Sequence, residues 1–136
     1  MKNITTGIFS KFTALVGGAY NDFYTSISGR LYDSQAIQDA LYPYAVYQVI
    51  SNVNPRLTFV EKMQESLIQF TLVSNVSSSL EVKNMLAYCK TLYNGATFTV
   101  VSNTLVYMVW ENEDLMKDDD GEWVATSAFR LLVVES

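Results

Sequence analysis

The chain contains no histidine and one cysteine in 136 residues. Without histidine it lacks the side chain that most often serves as general base or transition-metal ligand near neutral pH. The lone Cys89 cannot close an internal disulfide, and the sequence reads as intracellular in origin. Charged residues make up 17% of the chain, against roughly 25% in an average soluble protein. No stretch approaches the ~20 apolar residues that span a bilayer, which argues against a membrane protein. The start, Met1-Lys2-Asn3-Ile4, carries one basic residue, and Ser10, Lys11 and Thr13 interrupt the apolar run behind it. That pattern suits an amphipathic helix rather than a signal peptide. Net charge is −5 and the basic residues are scattered singly, which argues against wrapping of nucleic acid.

What is present is apolar and aromatic. Hydrophobic residues reach 49%, and six of the nine tyrosines lie between Tyr20 and Tyr47. A chain of this length is one domain by size, able to bury a full core. Low charge with abundant tyrosine points to a surface that meets a partner, most simply another copy, because tyrosine brings large contact area at low entropic cost. A tyrosine-rich edge of the core is the other reading.

The periodicity predicts an α+β fold: an antiparallel or mixed sheet of about four to five strands, with an N-terminal helix and one long helix packed on it. Ile4, Ile8, Phe12, Leu15 and Val16 recur at helical spacing, with Thr5 or Thr6 as N-cap and Gly17-Gly18 as a stop. Residues 19–41 fit either helix or irregular aromatic structure, with a short helix possible at Ser34 to Leu41. Pro43 opens a strand through Ser51, and Asn52-Val53-Asn54-Pro55 forms the turn out of it. A strand-like piece at Arg56 to Lys62 leads to a strand at Glu65 to Ser74, with Ile68, Phe70 and Leu72 inward. Ser78 to Asn94 is the clearest helix. It has a Ser78/Glu81 capping box, a stripe of Val82, Met85, Leu86, Cys89, Leu92 and Tyr93, and Gly95 for a left-handed end. Thr97 to Val101 and Thr104 to Trp110 read as extended, and Glu122 to Val134 as a final strand with Trp123, Phe129, Leu131 and Val133 on one face.

None of the local patterns makes a convincing catalytic or metal site. Asp118-Asp119-Asp120-Gly121 has the oxygens of a calcium loop but not the alternating spacing, and Asp-Gly is a strong hairpin dipeptide. Gly17-Gly18-Ala19 follows a helix and lacks the lysine and hydroxyl of a phosphate loop. Cys89 lies on an apolar stripe with no histidine to activate it, so it reads as a packed thiol. Glu61, Glu65, Glu81 and Glu111 include no pair that the pattern singles out as acid and base. Arg30 either reaches a neighbouring subunit's carboxylate or stacks at the surface on Tyr32. The sequence therefore predicts no enzyme, no cofactor and no metal.

Gly29-Arg30-Leu31-Tyr32, a variable insert, and the strand Pro43 to Ser51 follow one another in an order that resembles the tail-completion or tail-terminator proteins of long-tailed bacteriophages. The strand Ile68 to Ser74 running into a serine-started helix, and a closing hairpin around Asp-Gly, also fit that family. The likeness spans roughly Gly29 to Val134. The stretch Gly17 to Ser28 is longer and more aromatic than the family pattern. The resemblance implies a structural virion protein at the head–tail interface, assembled in the host cytoplasm. It would form a homo-oligomeric ring, a hexamer, on the head-proximal end of the tail tube. That ring would stop tube growth, contact the major tail tube protein, and present a surface to the head-closure or connector protein. Phage DNA would pass through an acidic lumen without specific binding, six copies each carrying −5. The contact residues expected on this basis are Arg30, Tyr32, Tyr42, Tyr44, Glu113, Asp118, Asp119 and Asp120, with Asn112 to Asp120 taken as a polar docking loop. Another neck or tube component, or a small ligand-binding domain with a polar pocket, are the rival readings.

Overall fold

The structure, a computed structural model, describes residues 2–53, 63–96 and 103–135. In chain order these form α1 (Lys2–Thr13), α2 (Asp22–Ser26), β1 (Leu31–Asp33), β2 (Tyr44–Val53), β3 (Met63–Ser74), α3 (Leu80–Tyr93), β4 (Asn103–Lys117) and β5 (Trp123–Glu135). The strands make one five-stranded mixed sheet in the order β1-β2-β3-β5-β4, with β1 parallel to β2 and every other pair antiparallel. This is the α+β architecture that the sequence predicts, with the long helix packed on the sheet. The expected strand at Arg56 to Lys62, the residues Asn54-Pro55 and the extended piece at Thr97 to Val101 lie outside the described residues. Asn52 and Val53, expected in a turn, continue β2.

Strand parity decides which residues are inside. On β3, Ser66, Ile68, Phe70 and Leu72 are fully buried, and on β5 so are Ala125, Ser127, Phe129 and Leu131. These positions pair across the two strands and meet Ile4, Ile8 and Phe12 from α1, Phe23 from α2, and Val82, Met85, Cys89 and Tyr93 from α3. All three helices thus contribute to one core on one face of the sheet. Phe70 sits at its centre, stacked on Tyr93 at 4.8 Å between ring centroids and edge-on to Phe129 at 5.6 Å. The Tyr93 hydroxyl donates to the carbonyl of Ile8 at 2.9 Å, tying α3 to α1 through a buried bond.

Ser127 is buried in the same face, and its hydroxyl has no hydrogen-bond partner among the described residues. An unpaired buried hydroxyl carries a desolvation cost that alanine would not. Ser127→Ala is therefore expected to leave the melting temperature unchanged or raise it by a few degrees, about 1 kcal/mol. A fall of similar size would show that the hydroxyl is satisfied in solution.

Five local expectations are corrected. Helix α1 already begins at Lys2 and ends at Thr13, so Thr5 and Thr6 lie inside it rather than capping it. Leu15 and Val16 leave the stripe for solvent, at 57% and 78% exposure. The Thr13 hydroxyl turns back to the Phe9 carbonyl as the helix ends, and Val16 and Ala19 bridge across Gly17-Gly18 in a tight turn. No helix forms at Ser34 to Leu41, because Ser34 and Asp39 adopt φ of +66° and +60°, which a right-handed helix cannot contain.

At α3 the capping box is replaced. Glu81 accepts from the buried Ser74 hydroxyl at 2.8 Å, and Ser78 Oγ accepts from the Leu80 N–H. The helix start is thereby tied to the end of β3. Gly95 does supply the left-handed end, at φ +73°, and its N–H crosses to the Met108 carbonyl of β4. Asn112 to Lys117, expected in a loop, are strand, held by the ladder to β5 that runs from Ala128 to Trp123.

Candidate assembly surface

The Gly-Arg element follows from local packing. Gly29 has φ +74°, and a Cβ there would sit 2.8 Å from the Tyr24 ring, so only glycine lets α2 fold back against the start of β1. Asn21 caps α2 by accepting from the Tyr24 N–H at 2.8 Å while its own amide donates to Phe12 O. Arg30 is thereby delivered to the loop before β2. Its Nε donates to the Pro43 carbonyl and its Nη2 to the Tyr42 carbonyl, both at 2.9 Å, where the Tyr42–Pro43 peptide is cis. The guanidinium is thus engaged with its own chain's carbonyls, which neither of the two sequence readings anticipates.

Tyr32, Tyr42 and Tyr44 come together beside it, with centroids 6.1 Å apart for Tyr32 and Tyr44 and 5.4 Å for Tyr42 and Tyr44. The Tyr42 hydroxyl donates to Glu122 Oε1 at 2.6 Å, joining this loop to the β4–β5 hairpin. That carboxylate, with desolvation adding to it, pushes the Tyr42 phenol up to about 12. Burial, and then Glu122 and Asp118, raise Tyr44 as well. A cleft of about 770 Å³ opens here, lined by Arg30, Ile37, Asp39, Leu41, Tyr44 and Asn75 among others. Ile37 and Leu41 on its lip are 61% and 69% exposed.

Asp118 faces inward in the hairpin. Its Oδ1 accepts from the N–H groups of Asp120 and Glu122 at 3.0 and 2.8 Å, which builds the turn, while Asp119 and Asp120 stay exposed. Among the described residues no group of acidic or cysteine side chains is arranged to hold a metal ion. Glu113 lies apart from the tyrosines, on the helix side of β4, in a second cleft of about 470 Å³ with Lys83, Leu86, Lys90 and Leu115. Cys89 is fully buried, and burial raises its thiol well above the usual range, as for a thiol packed in a core.

Sequence reasoning missed Glu122 and the Arg130 clamp. Arg130 lies on the sheet face that no helix covers, bonded to Glu65 from β3 and bidentate to Glu111 from β4 at 2.7 and 3.0 Å. These contacts hold Glu111 below and Arg130 above their ordinary pKa values. Register places Gln48, Gln69, Ala128 and Asn112 in one row of that face and Val46, Thr71, Thr126 and Asp114 in the next. Apart from Val46 and the acidic Asp114, these two rows carry small or uncharged polar side chains. Seven of the fourteen acidic residues fall between Glu111 and Glu122, so the negative charge is concentrated on the end of β4 and its hairpin.

Loss of the Arg30 guanidinium strips two carbonyls of their charged donor. Arg30→Ala is expected to cost about 2 kcal/mol and several degrees of melting temperature. A variant with unchanged melting would show that the loop holds itself.

Taken as a class, the fold is a single helix-covered mixed sheet without a catalytic constellation among its described residues. No family model and no curated protein matches the sequence. The structure is similar to that of a chain in the virion of a native gene transfer agent particle, with a TM-score of 0.78, 10% identity, and coverage of 96% of this chain and 94% of that one.

Proposed function

We propose that this chain is a structural virion protein of a phage-like particle, a terminator that assembles as a ring on the head-proximal end of the tail tube. The ring stops tube growth and joins the tail to the head connector, with no reaction involved. The observation that carries this reading is the fold match along nearly the whole length of both chains to a chain of a virion particle. The order of the Gly-Arg-Leu-Tyr element, the Pro-Tyr strand and the Asp-Gly hairpin supports the terminator role. The partners on this reading are five further copies, the tail tube protein and the head-closure protein. DNA passes without specific binding because each copy carries −5 and Arg130 is held between two carboxylates.

Electron microscopy and native mass spectrometry of the purified protein, alone and added to purified tail tubes, test this. Six-fold rings, or caps that arrest tube elongation at low molar ratio, are expected. A chain that stays monomeric in solution and on tube tips would overturn the reading. Incorporation all along the tube would make it a tube subunit instead.

A further inference from the structure

Both edges of the sheet are partly open, and their hydrogen-bonding parity is fixed. The Gly95 N–H binds the Met108 carbonyl, the Trp110 N–H binds Asn94 Oδ1 at 2.9 Å, and the Asp118 N–H binds the Glu122 carbonyl to close the hairpin. The end of α3 therefore caps the outer edge of β4 at Met108 and Trp110. Alternation along the β5 ladder then turns the N–H and C=O of Glu113, Leu115 and Lys117 outward, where no described strand pairs with them. On the opposite edge, β1 covers β2 only from Ala45 to Tyr47. From Gln48 to Val53 the outer edge of β2 has no strand beside it among the described residues, and a bulge interrupts it between Val49 and Ser51.

We propose that these two open edges are the two halves of one subunit contact: Glu113–Lys117 of β4 in one copy pairs antiparallel with Gln48–Val53 of β2 in the next. The inference rests on the ring assembly proposed above and assigns its surfaces. Three observations select a second copy and this pairing. First, β1, β2 and β5 run one way and β3 and β4 the other, so a rotation about an axis from which the strands tilt, as in a closed barrel, sets β4 against the next β2 in antiparallel sense. Second, β4 meeting β4 would oppose Glu111, Glu113 and Asp114 with their own copies, a like-charge contact that disfavours a twofold dimer, whereas Gln48–Val53 carries no charge. Third, the free stretches lie toward opposite ends of the sheet, since Lys117 shares a row with Trp123 and Ser74 while Val53 pairs with Glu65. Joining them staggers successive sheets along the strands, as closed sheets require. Such a head-to-tail contact uses unlike surfaces, so it builds a ring where the rotation closes, and not a twofold dimer.

Proline separates this pairing from folding. The N–H groups of Glu113 and Lys117 point away from β5, so proline at either position removes no hydrogen bond of the β4–β5 ladder, and edge strands tolerate it there. Glu113→Pro and Lys117→Pro are expected to keep the melting temperature within a few degrees of wild type. Each should weaken every subunit contact roughly tenfold or more, read as loss of rings by native mass spectrometry and sedimentation. To cover a variant that fails to fold, a cysteine pair in a Cys89→Ala background, Glu113→Cys in one chain and Asn52→Cys in another, should crosslink between chains on oxidation. Rings that survive both prolines and yield no crosslink overturn the pairing while leaving the ring reading intact. A wild-type chain that never oligomerises, alone or on tubes, overturns both.

Discussion

Phe70→Ala is expected to cost this protein more than any other single truncation, about 3–5 kcal/mol. The side chain is fully buried and touches an aromatic ring on four sides: Phe23 from α2, Tyr47 from β2, Tyr93 from α3 and Phe129 from β5. Its removal leaves a cavity whose walls belong to different elements. Two of those elements, α3 and β5, are themselves joined by the Tyr93–Phe129 contact at 6.1 Å, so the walls cannot collapse inward without separating other pairs. For a chain of this size the loss corresponds to a fall of about 10–20 °C in melting temperature. Tyr88, 37% exposed on α3, provides the contrast, and its replacement by alanine is expected to move stability by under about 1 kcal/mol. Thermal melts of the two variants decide the matter. A Phe70→Ala variant that loses no more than Tyr88→Ala would mean that the core is organised around some other residue.

The same centre explains which parts of the fold the sequence discloses. Ile68, Phe70 and Leu72 alternate, and Val82, Met85, Leu86 and Cys89 recur at helical spacing, because each segment needs only its own period to find the core. Elements held by distant partners leave no such trace. The stretch Asn112-Glu113-Asp114 is polar and resembles a loop, yet the β5 ladder through Ala128, Ser127 and Thr126 keeps it extended. In residues 34–41 the backbone passes through left-handed positions at Ser34 and Asp39 that no periodicity announces. The candidate assembly surface divides in the same way. Tyr32 and Tyr44 lie near one another in sequence and are visible as a pair, but their neighbour Glu122 arrives from 80 residues beyond Tyr42 through sheet register alone. Arg130 gathers Glu65 and Glu111 by the same route.

Alkaline pH is the second strong perturbation, and its sign follows from which groups the fold keeps neutral. Burial pushes the Tyr47 phenol up to about 12, with Asp33 adding to it, and burial raises Tyr93 and Cys89 well above their ordinary values. Tyr42 reaches about 12 mainly through its bond to Glu122. Because Tyr42 stands close to solvent, the buried groups dominate the effect. In the unfolded chain these thiol and phenol groups ionise near their reference values of 9.0 and 10.0. The folded state binds protons that the unfolded state releases, so the stability they contribute is complete below pH of about 9 and is lost as pH climbs through 10 toward 12. At the acid end the Arg130 contacts lower Glu111 from 4.5, so its contribution persists above that value and fades as pH falls below it. With no histidine to titrate between these limits, the melting temperature is expected to be nearly flat from about pH 5 to 9 and then to drop steeply. Melting curves across that range, followed together with tyrosinate absorbance, test the account. The absorbance should show buried tyrosines ionising only as the fold is lost. Tyr93→Phe separates the buried phenol from the rest: it forfeits the bond to Ile8 and lowers stability at neutral pH, yet its alkaline slope should be shallower than that of the wild type. A wild-type chain whose nine tyrosines all titrate near pH 10 while it remains folded would show that the aromatic core is open to solvent, and the packing around Phe70 would fail with it.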